Sequence, residues 1–172
     1  TKNYKRGFAA CTSDYVAVLE GDDYWTDEYK LQKQYDLLDN YIEVGLVHTD
    51  CDLLYESGKL QSGSHQRHLK SIKNINLFEQ LLHENYIRPA TVVFRQELYD
   101  KYIHIDEYIR LDFKTLDYAL WLDISKYTQF YYFNYSTAVY RIHGASISNS
   151  SQYRKSLSFF ESIYSIKKYS LD

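Results

Sequence analysis

Residues 15–25 constrain the fold more than any other segment, and they read YVAVLEGDDYW. The apolar, β-branched run is typical of a buried strand in an α/β sheet. It stops at three carboxylates around a glycine, Glu20, Asp22 and Asp23, and two aromatic residues follow. Open α/β sheets bind ligands at the carboxyl ends of their strands. Clustered carboxylates suit Mg²⁺ or Mn²⁺. The segment therefore predicts a cation site open to substrate phosphates, although acids before a helix also serve as caps.

Length and composition predict one globular α/β domain over residues 1–172, with 45% hydrophobic and 25% charged residues. The net charge of −3 gives no indication of nucleic acid as a partner. No apolar run approaches the roughly 20 residues of a membrane span. Cys11 and Cys51 have neither a disulfide framework nor zinc spacing, so we expect both reduced, in the cytoplasm. The chain begins at Thr1 and contains no Met, so we expect a processed chain or part of a longer protein.

Helices and strands alternate along the chain, as in an α/β fold. Thr26 is the expected N-cap of the second helix, and the polar segment 60–73 is expected to be a mobile surface loop. The last helix would place Tyr153, Leu157, Phe160 and Tyr164 on one face. We predict helices at 3–12, 26–40, 77–85, 96–102, 117–127 and 151–169, and strands at 15–20, 44–55, 89–95 and 129–142.

Two further segments carry candidate chemistry. Asp117 begins a helix, where it is either an acid stabilised by the helix dipole or a general base. His143 follows a strand with Arg141, Ser146 and Ser148 nearby, so it is either a loop residue or part of a diphosphate or metal site. Another acid pair, Asp50 and Asp52, lies in the middle of a strand, which favours a structural role.

Three segments, in this order, resemble the family 2 glycosyltransferases of the GT-A fold. Residues 7–34 are similar to that family's metal-binding segment, 117–122 to its segment at the head of a helix, and 140–148 to its carboxy-terminal histidine segment. The resemblance implies a GT-A-like mixed sheet flanked by helices. It also implies that the family's amino-terminal nucleotide-binding strands are absent here, so that the isolated chain would be inactive or would associate.

The resemblance implies a role for each matching residue. Asp22 would bind a divalent cation, Mn²⁺ or Mg²⁺, and Glu20 would face the nucleotide. Asp117 would be the catalytic base. His143 would reach the cation and the diphosphate, the latter together with Arg141. Weaker sugar or acceptor contacts are expected from Trp25, Tyr24 and Arg95, whereas core packing is the expectation for Trp121. Glu20 departs from the family's usual Asp, and Leu116 from its frequent Glu.

The implied activity is metal-dependent, inverting transfer of a sugar from a nucleotide-sugar, most often a UDP-sugar, to a hydroxyl. The acceptor would be a saccharide or a lipid-linked molecule in polysaccharide or glycoconjugate synthesis. Such a protein would be cytoplasmic, with peripheral association at the inner face of a membrane. One alternative is a non-catalytic domain of the same fold that binds carbohydrate or a partner. Another is a Mg²⁺-dependent phosphotransferase or nucleotidyltransferase, but no Gly-rich phosphate loop is present.

Overall fold

The computed structural model describes residues 2–63, 76–143 and 153–171. Its described strands form one mixed sheet in the order β1-β5-β3-β6-β2, with β4 paired to β3. The central pair β3 and β6 is parallel, and the other pairs are antiparallel. The α/β class and the GT-A-like mixed sheet are therefore confirmed. The strands are β1 (Tyr15–Ala17), β2 (Tyr24–Trp25), β3 (Val44–Tyr55), β4 (Leu60–Gln61), β5 (Val93–Arg95) and β6 (Gln129–Ile142).

Helices flank this sheet. The predicted bounds of β3, β6 and the helix at 96–102 are confirmed exactly. The helices are α1 (Lys2–Ala10), α2 (Lys30–Asn40), α3 (Leu77–His83), α4 (Gln96–Tyr102), α5 (Ile105–Arg110), α6 (Leu116–Ser125) and α7 (Tyr153–Leu171).

The expected N-cap at Thr26 is wrong, because α2 begins only at Lys30. The Thr26 amide donates to the carbonyl of Thr137 at 2.9 Å and so extends the pairing of β2 with β6. Asp27 Oδ1 then accepts from the Tyr29 amide at 2.9 Å, which makes a turn of the kind that Asp side chains favour. Sheet pairing and this turn therefore occupy the residues that helix capping would need.

Two predicted strands are shorter than expected. Only 15–17 and 93–95 pair along the β1–β5 ladder, and Pro89–Thr91 form a 3₁₀ turn. Pro89 has no amide hydrogen to donate. Thr91 bonds back to the Arg88 carbonyl through its amide at 3.0 Å and its hydroxyl at 2.7 Å. Pro89, the first residue of this turn, lines the candidate site.

Helix α6 lies in the main apolar core, and its residues from Tyr118 to Ile124 are all buried. Trp121 is 1% exposed and donates to the Ile87 carbonyl at 3.3 Å, so the expectation of core packing is confirmed. Helix α7 packs on this core through Ile163, Ile166 and Tyr169. The face that carries Leu157, Phe160 and Tyr164 is exposed, because the other face of α7 contacts α6.

A buried polar network holds the 3₁₀ turn against the sheet. The side-chain amide of Gln34 donates to the carbonyls of Val47 and Thr91 at 3.0 and 2.9 Å. Trp25 Nε1 donates to the Ala90 carbonyl at 2.9 Å. Because the two Gln34 bonds are buried, they fix the turn relative to α2 and β3, and the partly buried Trp25 bond adds to them.

Several smaller expectations have clear outcomes. Within the predicted loop 60–73, Leu60–Gln61 form β4, and residues 64–75 lie outside the described part of the chain. Cys11 and Cys51 are free thiols. No helix within residues 2–63, 76–143 and 153–171 is long and apolar enough to cross a bilayer.

Candidate active site

The turn between β1 and β2 is tied to the end of β6. The Asp23 amide donates to the Glu20 carbonyl at 3.1 Å, which closes the turn. Asp23 Oδ1 in turn accepts from the backbone amide of Arg141 at 2.9 Å. This pair of bonds brings together two segments separated by more than a hundred residues and places His143 beside Asp22.

Asp22 and His143 form a pair of suitable metal donors. His143 Nε2 lies 3.7 Å from Asp22 Oδ2, and both side chains are substantially exposed. Two donors bound to one cation at about 2.1 Å lie roughly 3–4 Å apart. Among the residues that the structure describes, no group of three or more His, Cys, Asp or Glu side chains could hold a metal. Two such donors could hold a cation only together with further ligands from substrate or water.

Glu20 lies deeper, beneath the tyrosine hydroxyl of α1. Tyr4 OH donates to Glu20 Oε1 at 2.9 Å. Burial, followed by repulsion from Asp117, raises the pKa of Glu20 to about 7, and the Tyr4 bond partly opposes this rise. Burial likewise raises the pKa of Asp23 to about 6, although its bond from the Arg141 amide favours the charged form. Burial therefore disfavours the charged forms of Glu20 and Asp23 in this turn.

Asp117 lies in the first turn of α6, where the helix dipole favours a negative charge. Its Oδ2 accepts from the side-chain amide of Asn85 at 3.0 Å. Burial raises the pKa of Asp117, while the Asn85 bond and the nearby Arg88 charge oppose the rise. A carboxylate with a raised pKa, held in one orientation, is suited to accept a proton from a hydroxyl.

One cleft of about 320 Å³, here called the acid cleft, joins these acids. It brings Glu20, Asp22 and Asp117 together, as a shared site requires. The residues that line it are Tyr4, Glu20, Asp22, Asn85, Arg88, Pro89, Lys114, Thr115, Leu116, Asp117, Tyr140, Phe159 and Ile163.

Sequence reasoning missed Tyr4, Asn85, Arg88 and Lys114 as residues of the site. The sequence around these four residues gives little indication of a site, because each is a common polar residue on a helix or in a loop. One signal was available at Arg88, a lone cation between Ile87 and Pro89 in an otherwise apolar segment that continues into a strand.

The structure does not bring Trp25, Tyr24, Arg141 and His143 to the lining of the acid cleft, although His143 lies beside Asp22 at its edge. The Trp25 ring packs with Cys51, Ala90 and Ala138. The Arg141 guanidinium lies over the Tyr24 ring, 5.3 Å from its centre. Successive strand residues point to opposite faces, so Arg141 faces away from the cleft that its neighbour Tyr140 lines. The predicted sugar and diphosphate roles of these residues remain predictions.

Arg95 also lies away from the acid cleft, and its donors are used by backbone. Its Nε donates to the Val44 carbonyl at 3.0 Å, and Nη2 donates to the carbonyls of Leu38 and Tyr41 at the end of α2. Cations favour helix carboxyl ends, so this arrangement indicates a structural part. An acceptor contact by Arg95 remains an untested prediction.

The second acid pair, Asp50 and Asp52, is hydrogen-bonded within the sheet. Asp52 Oδ1 accepts from the Ser136 hydroxyl at 2.7 Å and the Gly63 amide at 2.9 Å. Asp50 Oδ1 accepts from the Cys51 amide at 2.8 Å. These contacts support the structural role that the mid-strand position indicated.

Comparison with known proteins gives a family and two groups of relatives. The model of the family "Glycosyl transferase family 2" matches residues 1–103, which is more than half of the chain. Uncharacterized proteins of Mycobacterium tuberculosis and Mycobacterium bovis are 34% identical over 99 residues, 55% of this chain. That alignment covers 27% of each relative, so the chain spans only about a quarter of their length. The family match includes Glu20 and Asp22 but ends before Asp117 and His143.

Proposed function

The chain belongs to the family 2 glycosyltransferases, and we propose that it transfers a sugar from a nucleotide-sugar to an acceptor hydroxyl with inversion, using Asp117 as the base. The observation that carries this proposal is the acid cleft, in which Asp117 shares one cavity with Glu20 and Asp22. A single displacement needs the base and the leaving group on opposite sides of the sugar carbon. A cleft with acids contributed by two separate segments can meet that need.

Asp117 removes the proton from the attacking hydroxyl in this mechanism. Asn85 holds one carboxylate oxygen at 3.0 Å and so orients the other for the acceptor. The pKa of Asp117, raised by burial, brings its basicity closer to neutral pH, where proton transfer from a hydroxyl is most effective. The charge of Arg88 opposes the rise in this pKa.

Asp22 and His143 would hold the divalent cation, because their facing atoms are 3.7 Å apart and suit Mn²⁺ or Mg²⁺. When bound, the cation stabilises the charge that develops on the diphosphate leaving group. Glu20 would face the nucleotide side, where its Tyr4 bond orients it. A UDP-sugar donor and a saccharide or lipid-linked acceptor complete the proposal, in polysaccharide or glycoconjugate synthesis at the cytoplasmic face of a membrane.

The proposed chemistry is tested by Asp117→Asn. With a panel of UDP-sugars, acceptors and Mn²⁺, release of nucleoside diphosphate should fall about 10²- to 10⁴-fold, the usual contribution of a general base. Asp39→Asn, which removes an exposed acid on α2, is the matched control and should retain wild-type activity. Circular dichroism should show that both variants are folded.

Three results would contradict the proposal. Folded Asp117→Asn that keeps wild-type turnover would remove Asp117 as the base. Release of pyrophosphate instead of nucleoside diphosphate would favour a nucleotidyltransferase. Binding of donor and acceptor with no turnover by the wild type would favour a non-catalytic carbohydrate-binding domain.

A further inference from the structure

Arg88 is a cation at a fixed position in the acid cleft. Its carbonyl accepts the two bonds from Thr91, so its backbone is held by the 3₁₀ turn. The buried Gln34 anchors the end of that turn through the Thr91 carbonyl. Hydrogen bonds therefore hold the backbone from which the Arg88 side chain extends.

Among the residues that the structure describes, the guanidinium of Arg88 contacts an aromatic ring but no hydrogen-bond acceptor. Across residues 2–63, 76–143 and 153–171 it donates no hydrogen bond and forms no ion pair. Its contact is with the ring of Tyr140, whose centre lies 4.8 Å away. Stacking on an aromatic face leaves the edge of the guanidinium, with its N–H donors, available. A half-buried arginine with unused donors is suited to a planar or tetrahedral anion.

The neighbouring acids do not take up these donors. The charge of Arg88 opposes the rise that burial causes in the pKa of Asp23 and Asp117. Neither acid forms a hydrogen bond with its guanidinium: Asp117 Oδ2 accepts from Asn85, Asp23 Oδ1 accepts from the Arg141 amide, and Asp23 Oδ2 is buried without a partner among the described residues. A second cation, Lys114, lines the same cleft, and its amide is fixed by the Ser162 hydroxyl at 2.8 Å. Its amino group pairs with Asp112, which is 80% exposed and so easily displaced.

We propose that Arg88, assisted by Lys114, binds an anionic group on the acceptor, so that the acceptor is an acidic saccharide or a sugar phosphate. The inference rests on the proposed function, because it places the acceptor hydroxyl at Asp117. The anion, a carboxylate or a phosphate, occupies the donors of the Arg88 guanidinium. The accepting sugar then lies against Asp117 on the same cleft wall.

Binding is measured by calorimetry with three probes: glucose, glucuronate and glucose 1-phosphate. At least one anionic probe should bind the wild type about tenfold or more tightly than glucose, as expected for charge-assisted bonds. Arg88→Gln should abolish that preference and leave glucose binding unchanged. Arg110→Gln, which removes an exposed cation on α5 paired with Glu107, is the control of equal charge change and should keep the preference.

Two results would overturn the inference. One is an equal affinity of the wild type for all three probes, or a preference that survives in Arg88→Gln. The other is weaker binding of UDP with Mn²⁺ in Arg88→Gln while acceptor binding is unchanged, since Arg88 would then serve the donor diphosphate. Should Arg88→Gln fail to fold, Arg88→Lys keeps the charge but loses the planar fork, and it should weaken anion binding several-fold.

The binding assay requires no sugar transfer, so its outcome is independent of the proposed activity. Anion binding through Arg88 without release of nucleoside diphosphate would reject the transferase proposal and keep the acidic-sugar site. Turnover with no dependence on Arg88 or on acceptor charge would do the reverse. If Arg88 only neutralised the nearby carboxylates, Arg88→Gln would shift the pH profile of turnover but would keep the preference for anionic probes.

Discussion

Two acid pairs with the same spacing, Glu20/Asp22 and Asp50/Asp52, have opposite environments in this sheet. Asp50 is fully buried in β3, and each acid of that pair accepts bonds from neighbouring strand or loop groups. Asp22 lies beyond the end of β1, is 56% exposed and faces His143. The difference teaches that spacing alone does not make an acid pair a site. The proposed site instead uses carboxylate oxygens at the end of a strand, where Asp22 is exposed.

The first prediction compares one acid from each pair. Asp22→Asn should lower release of nucleoside diphosphate by about 10²- to 10³-fold, because a cation contributes several kcal/mol to such a transition state. Its free energy of unfolding should stay within about 0.5 kcal/mol of the wild type, since Asp22 is exposed. Asp52→Asn should instead lower the free energy of unfolding by about 1–3 kcal/mol, because the Ser136 and Gly63 donors lose a charged acceptor.

Urea unfolding and single-turnover assays on the same samples check this comparison. The activity of Asp52→Asn, corrected for the folded fraction, should equal that of the wild type. Asp52→Asn with normal stability and lost turnover, beside Asp22→Asn with normal turnover, would show that the mid-strand pair carries the chemistry.

The second prediction is that the two regions respond to pH with opposite signs in metal-free protein. Burial lowers the pKa of His48, on β3, from 6.5 to about 4. Between pH 6.5 and 4, His48 is therefore protonated in the unfolded chain but not in the folded protein. This contribution to the free energy of unfolding is lost as pH falls through that range. The pKa of Glu20 is raised from 4.5 to about 7, so the folded state keeps that proton longer. The cleft consequently loses stability as pH rises from 4.5 to 7.

Unfolding by urea between pH 4 and 8, with a chelator present, separates the two contributions. In His48→Gln the Glu20 contribution remains, so the free energy of unfolding should fall as pH rises. In Glu20→Gln the His48 contribution remains, so the free energy of unfolding should fall as pH decreases. His104→Gln, an exposed histidine, is the matched control and should follow the wild type. If the free energy of unfolding of Glu20→Gln followed the same pH curve as the wild type, the pKa of Glu20 would not be raised in the folded protein.

The third prediction compares the residues between the two acids of each pair, Gly21 and Cys51, and the smallest expected effect is at Gly21. A Cβ at Gly21 would meet no atom within 4 Å, so Gly21→Ala should change the free energy of unfolding by less than about 0.5 kcal/mol. Cys51 is fully buried, and Cys51→Leu should cost about 1–3 kcal/mol through overpacking. Thermal melts measure both, and equal costs would mean that the β1–β2 turn is as tightly packed as β3.

The elements that sequence predicted well are those whose own pattern decides them. The long alternating runs of β3 and β6 and the helix α4 appear with the expected bounds. Local pattern failed where a distant partner intervened, as at Thr26, whose amide pairs with Thr137. Local pattern also left open which face of α7 is covered, and the contact with α6 decides it.

The candidate site divides in the same way. The sequence by itself determined that carboxylates follow β1 and that an acid begins α6, because strand ends and helix starts are local properties. Only the tertiary structure decided that Asp22 meets His143 and that Asn85 and Arg88 share a cleft with Asp117. The physical reason is that these contacts depend on sheet order and on buried backbone bonds between segments far apart in the chain. No periodicity within either segment encodes them.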